Sequence, residues 1–470
     1  MKKILSLLLV LTMLLTLVGC KKDDKASDDK KGGNDSKTDV VDTDDKDDKD
    51  DKKNLEVLGE TLKYDPNVPV NNGEPITIDF WTWDFVDIYR NLIDQYQEIH
   101  PNVEINLIET PWGDYWTKLP LSLNSKDSPA LFAIHNSYHD NLINYMAPYE
   151  MSLDDLRADF LNVDSHLIDG EIYYIDYAMM TANLYYNKDM WEAAGLTDED
   201  FPETWEELRE VAKKLTIKEG DNLVQAGFNY NGTFNQMILG LNYQLGQNLF
   251  NEDGTATINN EAMNDIVKFF IDLYKVDGVG SENFGATAGE SFGQGQSAMV
   301  VMWGYYYNSL AENYPDIDAE ILEIPKFSDE GEIYAYNRYN GESSLGVSKN
   351  VSDEAQAVAQ DFVRFSFAND EFLVDYSVRA NCFPTKISLA DNEKVLSSPV
   401  LAALAPNIDR YVWPGTMPST LEDNMKIAGE NILFNNMPIN EALAEAEAKI
   451  NNDLANTDFV PVEDMYKYAR

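Results

Sequence analysis

The segment SAMVVMWGYYYNSL, residues 297–310, carries Trp303, Tyr305 and Tyr307 at alternate positions where a short apolar run ends. Rings of this size either fill a core or offer a flat apolar face to a ligand, and strand-like spacing puts the three on one side. Other chemistry is sparse. Of the four histidines, His100, His135, His139 and His166, only His135 and His139 stand at helical spacing, with no cysteine or third ligand in support. No metal and no cofactor is expected. Acidic residues abound, yet no spacing among them singles out an acid–base pair for glycoside cleavage.

The front of the chain reads as an export signal. Lys2 and Lys3 precede an apolar run from Ile4 to Val18, which ends in LVGC at Cys20 and is followed at once by charge. The run is too short for a good membrane span and fits a secretory signal peptide over residues 1–19. Residues 20–74 are rich in Lys, Asp, Ser, Gly and Asn, with hardly an apolar group before Leu55. They are expected to remain a disordered linker, holding the folded part roughly 40 Å from its start. With Cys20 committed to the front of the chain, Cys382 has no disulfide partner and is expected to be a small buried apolar residue.

The net charge of −46 belongs almost wholly to the folded part, because acids and lysines nearly balance in residues 1–54. Such a surface repels phosphate backbones, so nucleic acid is excluded as a partner. Only eight arginines occur, which also argues against an anionic ligand.

The elements that must position the rings follow from periodicity. Ile76, Ile78 and Phe80 alternate as a strand; Phe85, Ile88, Leu92, Tyr96 and Ile99 mark a helix stopped by Pro101; Val103, Ile105 and Leu107 alternate again. This is a βαβ unit. In FPETWEELREVAKKL, Thr204 and Glu207 form a capping box before an apolar face of Trp205, Leu208, Ala212 and Leu215. Further helices are marked by Met263, Ile266, Phe270 and Leu273, by Ala355, Ala359, Phe362 and Val363, and by NEALAEAEAKINNDLAN near the end. About 400 residues of mixed α/β pattern exceed one core, so two lobes are expected.

The motifs ITIDFWTWD, YQEIHPNVEI, DGEIYYIDYAMMTANLYYNKDMWEAAGL, PETWEELREVAKKL, FGQGQSAMVVMWG, GESSLGVSKNVSDEAQAVAQDFVRF and RANCFPT occur in this order over residues 75–455. In order and spacing the chain resembles the bacterial extracellular solute-binding proteins of ABC importers, the group that includes the maltose-binding protein. The resemblance implies a two-lobed α/β periplasmic-binding-protein-like fold of type II, with the ligand cleft between lobes joined by hinge segments. Lobe 1 would comprise residues 75–180 and 343–398, and lobe 2 residues 181–342 and 399–470. Crossings would fall near 177–184, 340–346 and 395–405. The chain departs from the family pattern at Pro129-Ala130 and at Tyr174-Ile175-Asp176.

The resemblance also implies the site. Tyr305 falls where a sugar-stacking ring is expected, flanked by Trp303 and Tyr307. The strand-end loop WTWD offers Trp83 and Asp84, and the loop HNSYHD offers Asn136 and Tyr138. Asp176, Glu342 and Ser343 sit at the crossings. Tyr230, Phe234 and Asn235 come from a lobe-2 loop, and Trp413 from a Pro- and Gly-rich loop before the last helices. Tyr185 and Tyr186 resemble the tyrosine pair of iron-binding relatives, but LYYNKD reads as a strand of the sugar binders. LVGC matches the lipobox, implying lipid attachment at Cys20 and a place on the outer face of the cell membrane.

The function so implied is non-enzymatic: a monomeric, lipid-anchored protein that captures a carbohydrate, an oligosaccharide in the leading reading, and hands it to the permease of an ABC importer. Two alternatives stay open, the same fold binding a cationic solute such as a polyamine, and a surface glycoside hydrolase.

Overall fold

The computed structural model describes residues 54–135, 138–327, 335–415, 417–455, 457 and 459–463. Cys20 and Asn136 lie outside the described residues.

The first sheet grows from the expected βαβ unit. Strand β1 (Ile76–Thr82), helix α1 (Val86–Ile99), strand β2 (Val103–Glu109), helix α2 (Trp112–Leu123) and strand β3 (Leu131–Ala133) follow one another. β1 is central, pairing in parallel with β2 from Ile76 opposite Val103 and with β3 from Phe80 opposite Leu131. A returning strand, Leu345–Val347, closes antiparallel on β3. Ile78 and Phe80 face the core and Thr77 faces water, as period-two alternation requires. The buried face of α1 centres on Tyr89, Leu92, Ile93 and Tyr96, with Phe85, Ile88 and Ile99 packed on its flanks.

The second sheet is antiparallel throughout, with Ala182–Asn187 between Met299–Trp303 and Ala319–Leu322. The strand Ala182–Asn187 is buried along its whole length, and Tyr185 and Tyr186 are core rings in it. The helix Trp205–Leu215 starts as its sequence dictates: Thr204 Oγ1 accepts from the Glu207 N–H, and the Glu207 carboxylate accepts from the Thr204 N–H at 2.9 Å. Trp205, Leu208, Ala212 and Leu215 are all buried. So are Met263, Ile266, Phe270 and Leu273 in the helix Glu261–Lys275. Cys382 is wholly buried.

Between the sheets runs a third, small one. Asp176–Met180 pairs antiparallel with Asn340–Ser343 and with Phe383–Pro384. Just beyond Met180 the chain enters the second sheet, and just beyond Ser343 it enters the first. Gly341 is required here, because a Cβ would lie 2.1 Å from the Asp176 carboxylate.

The linker expectation is corrected at its far end. From Asn54 onward the chain is packed rather than free: Leu62, Tyr64 and Val70 are buried against the first lobe. The backbone N–H groups of Thr61 and Leu62 donate to the buried Asp159 carboxylate, at 3.2 Å and 2.8 Å to Oδ2. Tyr64 donates its hydroxyl to Asp361 at 3.0 Å and also meets the His100 ring nitrogen. Three apolar anchors are too few to form a core, but they suffice to dock on one that already exists.

Candidate functional site

On the first lobe, β1 delivers Trp83 and Asp84 into the turn before α1. The turn is tight: Thr82 Oγ1 donates to the Asp84 carbonyl at 2.8 Å, Asp84 Oδ1 accepts from the Phe85 N–H at 2.7 Å, and Phe85 adopts φ 55°. A bulky residue in the left-handed region marks a turn whose geometry is enforced by its surroundings. The Asp84 carboxylate therefore serves the turn.

Trp83 is joined by rings that the sequence reading missed. Trp112 and Trp116 stand one helical turn apart on α2, on one face of the helix. Trp83 meets Trp112 edge-on at 5.3 Å and Trp116 at 4.9 Å, and Trp116 stacks flat on Tyr138 at 4.0 Å. His135 meets Trp112 at 5.1 Å. Trp112 is 43% exposed, so the cluster presents an open ring face. The signal lay in PWGDYW: two tryptophans at i, i+4 directly after a strand end.

On the second lobe the stretch WGYYY resolves differently from its alternation. The strand ends at Trp303, and Tyr305 opens a helix, Tyr305–Asn313. The three tyrosines therefore fan round a helix instead of lining one side. Gly304, between the two, packs tightly, since a Cβ there would lie 2.4 Å from the Asn381 carbonyl oxygen. Tyr306 turns inward and donates to the Gly289 carbonyl at 2.7 Å, Tyr307 is half-buried, and Tyr305 is 51% exposed. Trp303, partly exposed, lies beneath the Arg338 guanidinium, 5.4 Å from its ring centroid.

At the crossing, Asp176 is fully buried, with Oδ2 3.2 Å from His166 Nε2 and Oδ1 accepting from Ser343 Oγ at 3.4 Å. This arrangement is internal to the hinge. Glu342, one residue before Ser343, has its carboxyl pushed up to about 7 by burial and by the charges of Asp176 and Asp84, against a hydrogen bond from Asn340. Trp413 is also buried, its ring lying between His166 at 5.6 Å and Tyr339 at 5.6 Å.

Two expected site residues belong to the core of the second lobe. Tyr230 is buried, stacks on Tyr274 at 3.8 Å and donates to the Phe270 carbonyl at 2.6 Å. Phe234 is buried against the helix Ser419–Asn435, where Gly429 makes room for it. A Tyr and a Phe at a loop–helix junction read as available rings, but the hydrophobic effect draws them inward when a helix packs over them. Asn235, half-exposed, donates to the Glu422 carbonyl at 3.4 Å.

Burial lowers His135, on the first lobe, to about 4, and the charge of Glu422, in the helix Ser419–Asn435, acts against that shift. Among the described residues no group of three His, Cys, Asp or Glu side chains is arranged to hold a metal ion, and no helix is long and apolar enough to cross a membrane.

Two α/β lobes joined by paired crossing strands define a type II periplasmic-binding-protein fold. The chain belongs to the bacterial extracellular solute-binding protein family, whose model it matches over residues 82–371. It is similar to an arabinooligosaccharide-binding protein of Halalkalibacterium halodurans, 23% identical over 79% of this chain and 79% of that protein. It is also similar to a lactose-binding protein of Rhizobium radiobacter, 25% identical over 62% of this chain and 71% of that one. Among solved structures it resembles a cyclic alpha-maltosyl-1,6-maltose binding protein from Arthrobacter globiformis, with a TM-score of 0.67 and 21% identity over 81% of this chain and the whole of the other.

Proposed function

We propose that this protein captures a carbohydrate, an oligosaccharide in the reading we favour, and delivers it to the permease subunits of an ABC importer, without acting as an enzyme. The observation that carries this reading is the ring cluster Trp83–Trp112–Trp116–Tyr138 on one lobe, with the exposed Tyr305 on the other. Sugars present apolar C–H faces, and an open ring cluster on one lobe with an exposed tyrosine on the other suits such faces. The relatives named for arabinooligosaccharide and lactose binding support the same ligand class.

In this reading the lobes close over the ligand as a hinge about Asp176–Met180 and Asn340–Ser343. Lobe 1 then comprises residues 75–180 and 343–398, extended by the packed segment from Asn54, and lobe 2 residues 181–342 and 399–470. The protein works as a monomer held at the outer face of the membrane by lipid on Cys20. Replacing Cys20 with Ser should abolish acyl labelling and signal cleavage at this position; wild-type protein secreted with no acyl chain would refute the anchor.

The carbohydrate reading is tested by calorimetry against neutral oligosaccharides and polyamines. Binding of polyamines alone would move the ligand to the cationic class, which the acids near Glu342 would suit. Turnover of a bound glycan would instead make the protein a hydrolase.

A further inference from the structure

Two carboxylates of the first lobe hold the packed segment that begins at Asn54. Asp159, 5% exposed, ends the helix Leu153–Asp159. Among the described residues its carboxylate takes its hydrogen bonds from this segment alone, through the Thr61 and Leu62 N–H groups. These converge because the chain closes a loop there: Leu58 and Tyr64 exchange both backbone hydrogen bonds, at 2.9 Å and 3.0 Å, and Gly59 turns the loop at φ 81°. A Cβ on Gly59 would lie 2.2 Å from the Leu62 carbonyl oxygen, so a side chain there breaks the turn. The second carboxylate, Asp361 in the helix Asp353–Ala368, accepts from Tyr64 at 3.0 Å and from Tyr96 at 2.8 Å.

Both holding elements lead directly to the joint between the lobes. Past Asp159, Phe160 pairs with Lys386, and the Leu161 N–H donates to the Thr385 carbonyl at 2.9 Å. Thr385 in turn donates through Oγ1 to the Asp176 carbonyl at 2.6 Å and through its N–H to the Tyr177 carbonyl at 3.1 Å. Asn162 donates to the hydroxyl of Tyr339, which immediately precedes the strand Asn340–Ser343. Residues 159–162 thus join the segment to both crossing strands. On the helix of Asp361, the Ser366 hydroxyl shares a hydrogen bond of 2.7 Å with the Tyr177 hydroxyl.

We infer that the segment is a brace for the crossing strands, and that its docking sets how freely the two lobes move about them. A buried carboxylate keeps its charge only while donors surround it. When the segment leaves, water has to reach Asp159, and the end of its helix opens to admit it. Phe160 and Leu161 follow directly, and their bonds to Lys386 and Thr385 loosen. The lobes then turn on strands supported from fewer sides. The inference concerns the strands as folded and holds whichever ligand the protein takes.

The test is hydrogen exchange read by mass spectrometry on the full chain, for wild type, Gly59→Val and Asp159→Asn. Gly59→Val is a change within the segment, and Asp159→Asn puts an amide group where one carboxylate oxygen faced the N–H groups. Each variant should lose protection over residues 54–64, and exchange over 159–166, 176–180 and 383–386 should rise about fivefold or more. Exchange in β3 and in the strand Met299–Trp303 should stay within about twofold of wild type. If Asp159→Asn does not fold, Gly59→Val decides alone. A released segment with unchanged exchange in the crossing strands overturns the brace. So does faster exchange spread evenly over both lobes, which would make the segment a contributor to stability alone. A segment that stays protected in both variants overturns the docking and the brace together.

Discussion

Trp116 and Tyr138 lie face to face, their ring centroids 4.0 Å apart and their planes 2° from parallel. The stack ties α2 to the turn beyond β3, so two separate pieces of chain present one continuous aromatic surface with Trp83 beneath it. Rings immobilised before a ligand arrives have little further entropy to lose when it binds.

The cluster makes the first prediction. Trp112→Ala removes a half-exposed ring and should weaken saccharide binding about tenfold, while the unfolding midpoint changes little. Trp116→Ala should weaken binding as well and also loosen Tyr138. Tryptophan fluorescence titration with the saccharide found by calorimetry measures both. Unchanged affinity in the two variants would remove this cluster from the site.

The tyrosines of WGYYY separate by the same logic. Tyr305→Ala should cost about 1–3 kcal/mol of binding, by analogy with base–aromatic stacking, and little stability, because the ring is 51% exposed. Tyr306→Ala should do the reverse, costing about 3–5 kcal/mol of stability through a buried ring. Denaturant midpoints and affinities measured on both variants check the pair. A Tyr305→Ala protein that binds normally and unfolds far more easily would return Tyr305 to the core.

Asp159 gives a third prediction, about the packed segment from Asn54. Asp159→Ala leaves the Thr61 and Leu62 N–H groups without their acceptor, at a cost of about 1–3 kcal/mol. The segment should then become accessible to protease near Gly59, and deletion of residues 54–74 should destabilise the lobe comparably or more. If truncation at residue 75 leaves the melting temperature unchanged, the packing contributes nothing to stability.

What the sequence made legible was whatever local periodicity controls. The βαβ start, the Thr204–Glu207 box and the inward faces of the helices follow from spacing and capping alone. The site was only partly legible, because exposure is decided by what packs on top. Tyr230 and Tyr305 are both tyrosines at the mouth of a helix, yet Tyr274 covers one and nothing covers the other to the same degree. Alternation misled at WGYYY because the strand ends at Trp303 and a helix begins at Tyr305, so the period changes inside the run of rings. The docking of Tyr64 was invisible locally, since its partners His100 and Asp361 stand 36 and 297 residues away.

The last prediction concerns pH and the acid at the crossing. In the folded chain Glu342 keeps its proton up to about pH 7, whereas an unfolded glutamate loses it near 4.5. Between those values the folded state binds more protons, so this group lowers stability as pH rises, and its full penalty applies above about 7. His135 acts with the opposite sign: its folded value of about 4 lies below the ordinary 6.5, so folding excludes a proton in that window and stability rises with pH. Where the windows overlap, the wild type should show a shallow net dependence. Glu342→Gln removes only the falling contribution, and its neighbours Asp176, Asp84 and Asn340 remain in place. The variant should therefore exceed the wild type in stability at pH 7.5, and the advantage should shrink steadily toward pH 4.5, as read by urea midpoints at intervals of one pH unit. A difference between the two proteins that is constant across the range would mean that Glu342 is already ionised throughout, and the acids at the crossing would then be balanced by a charge other than a proton.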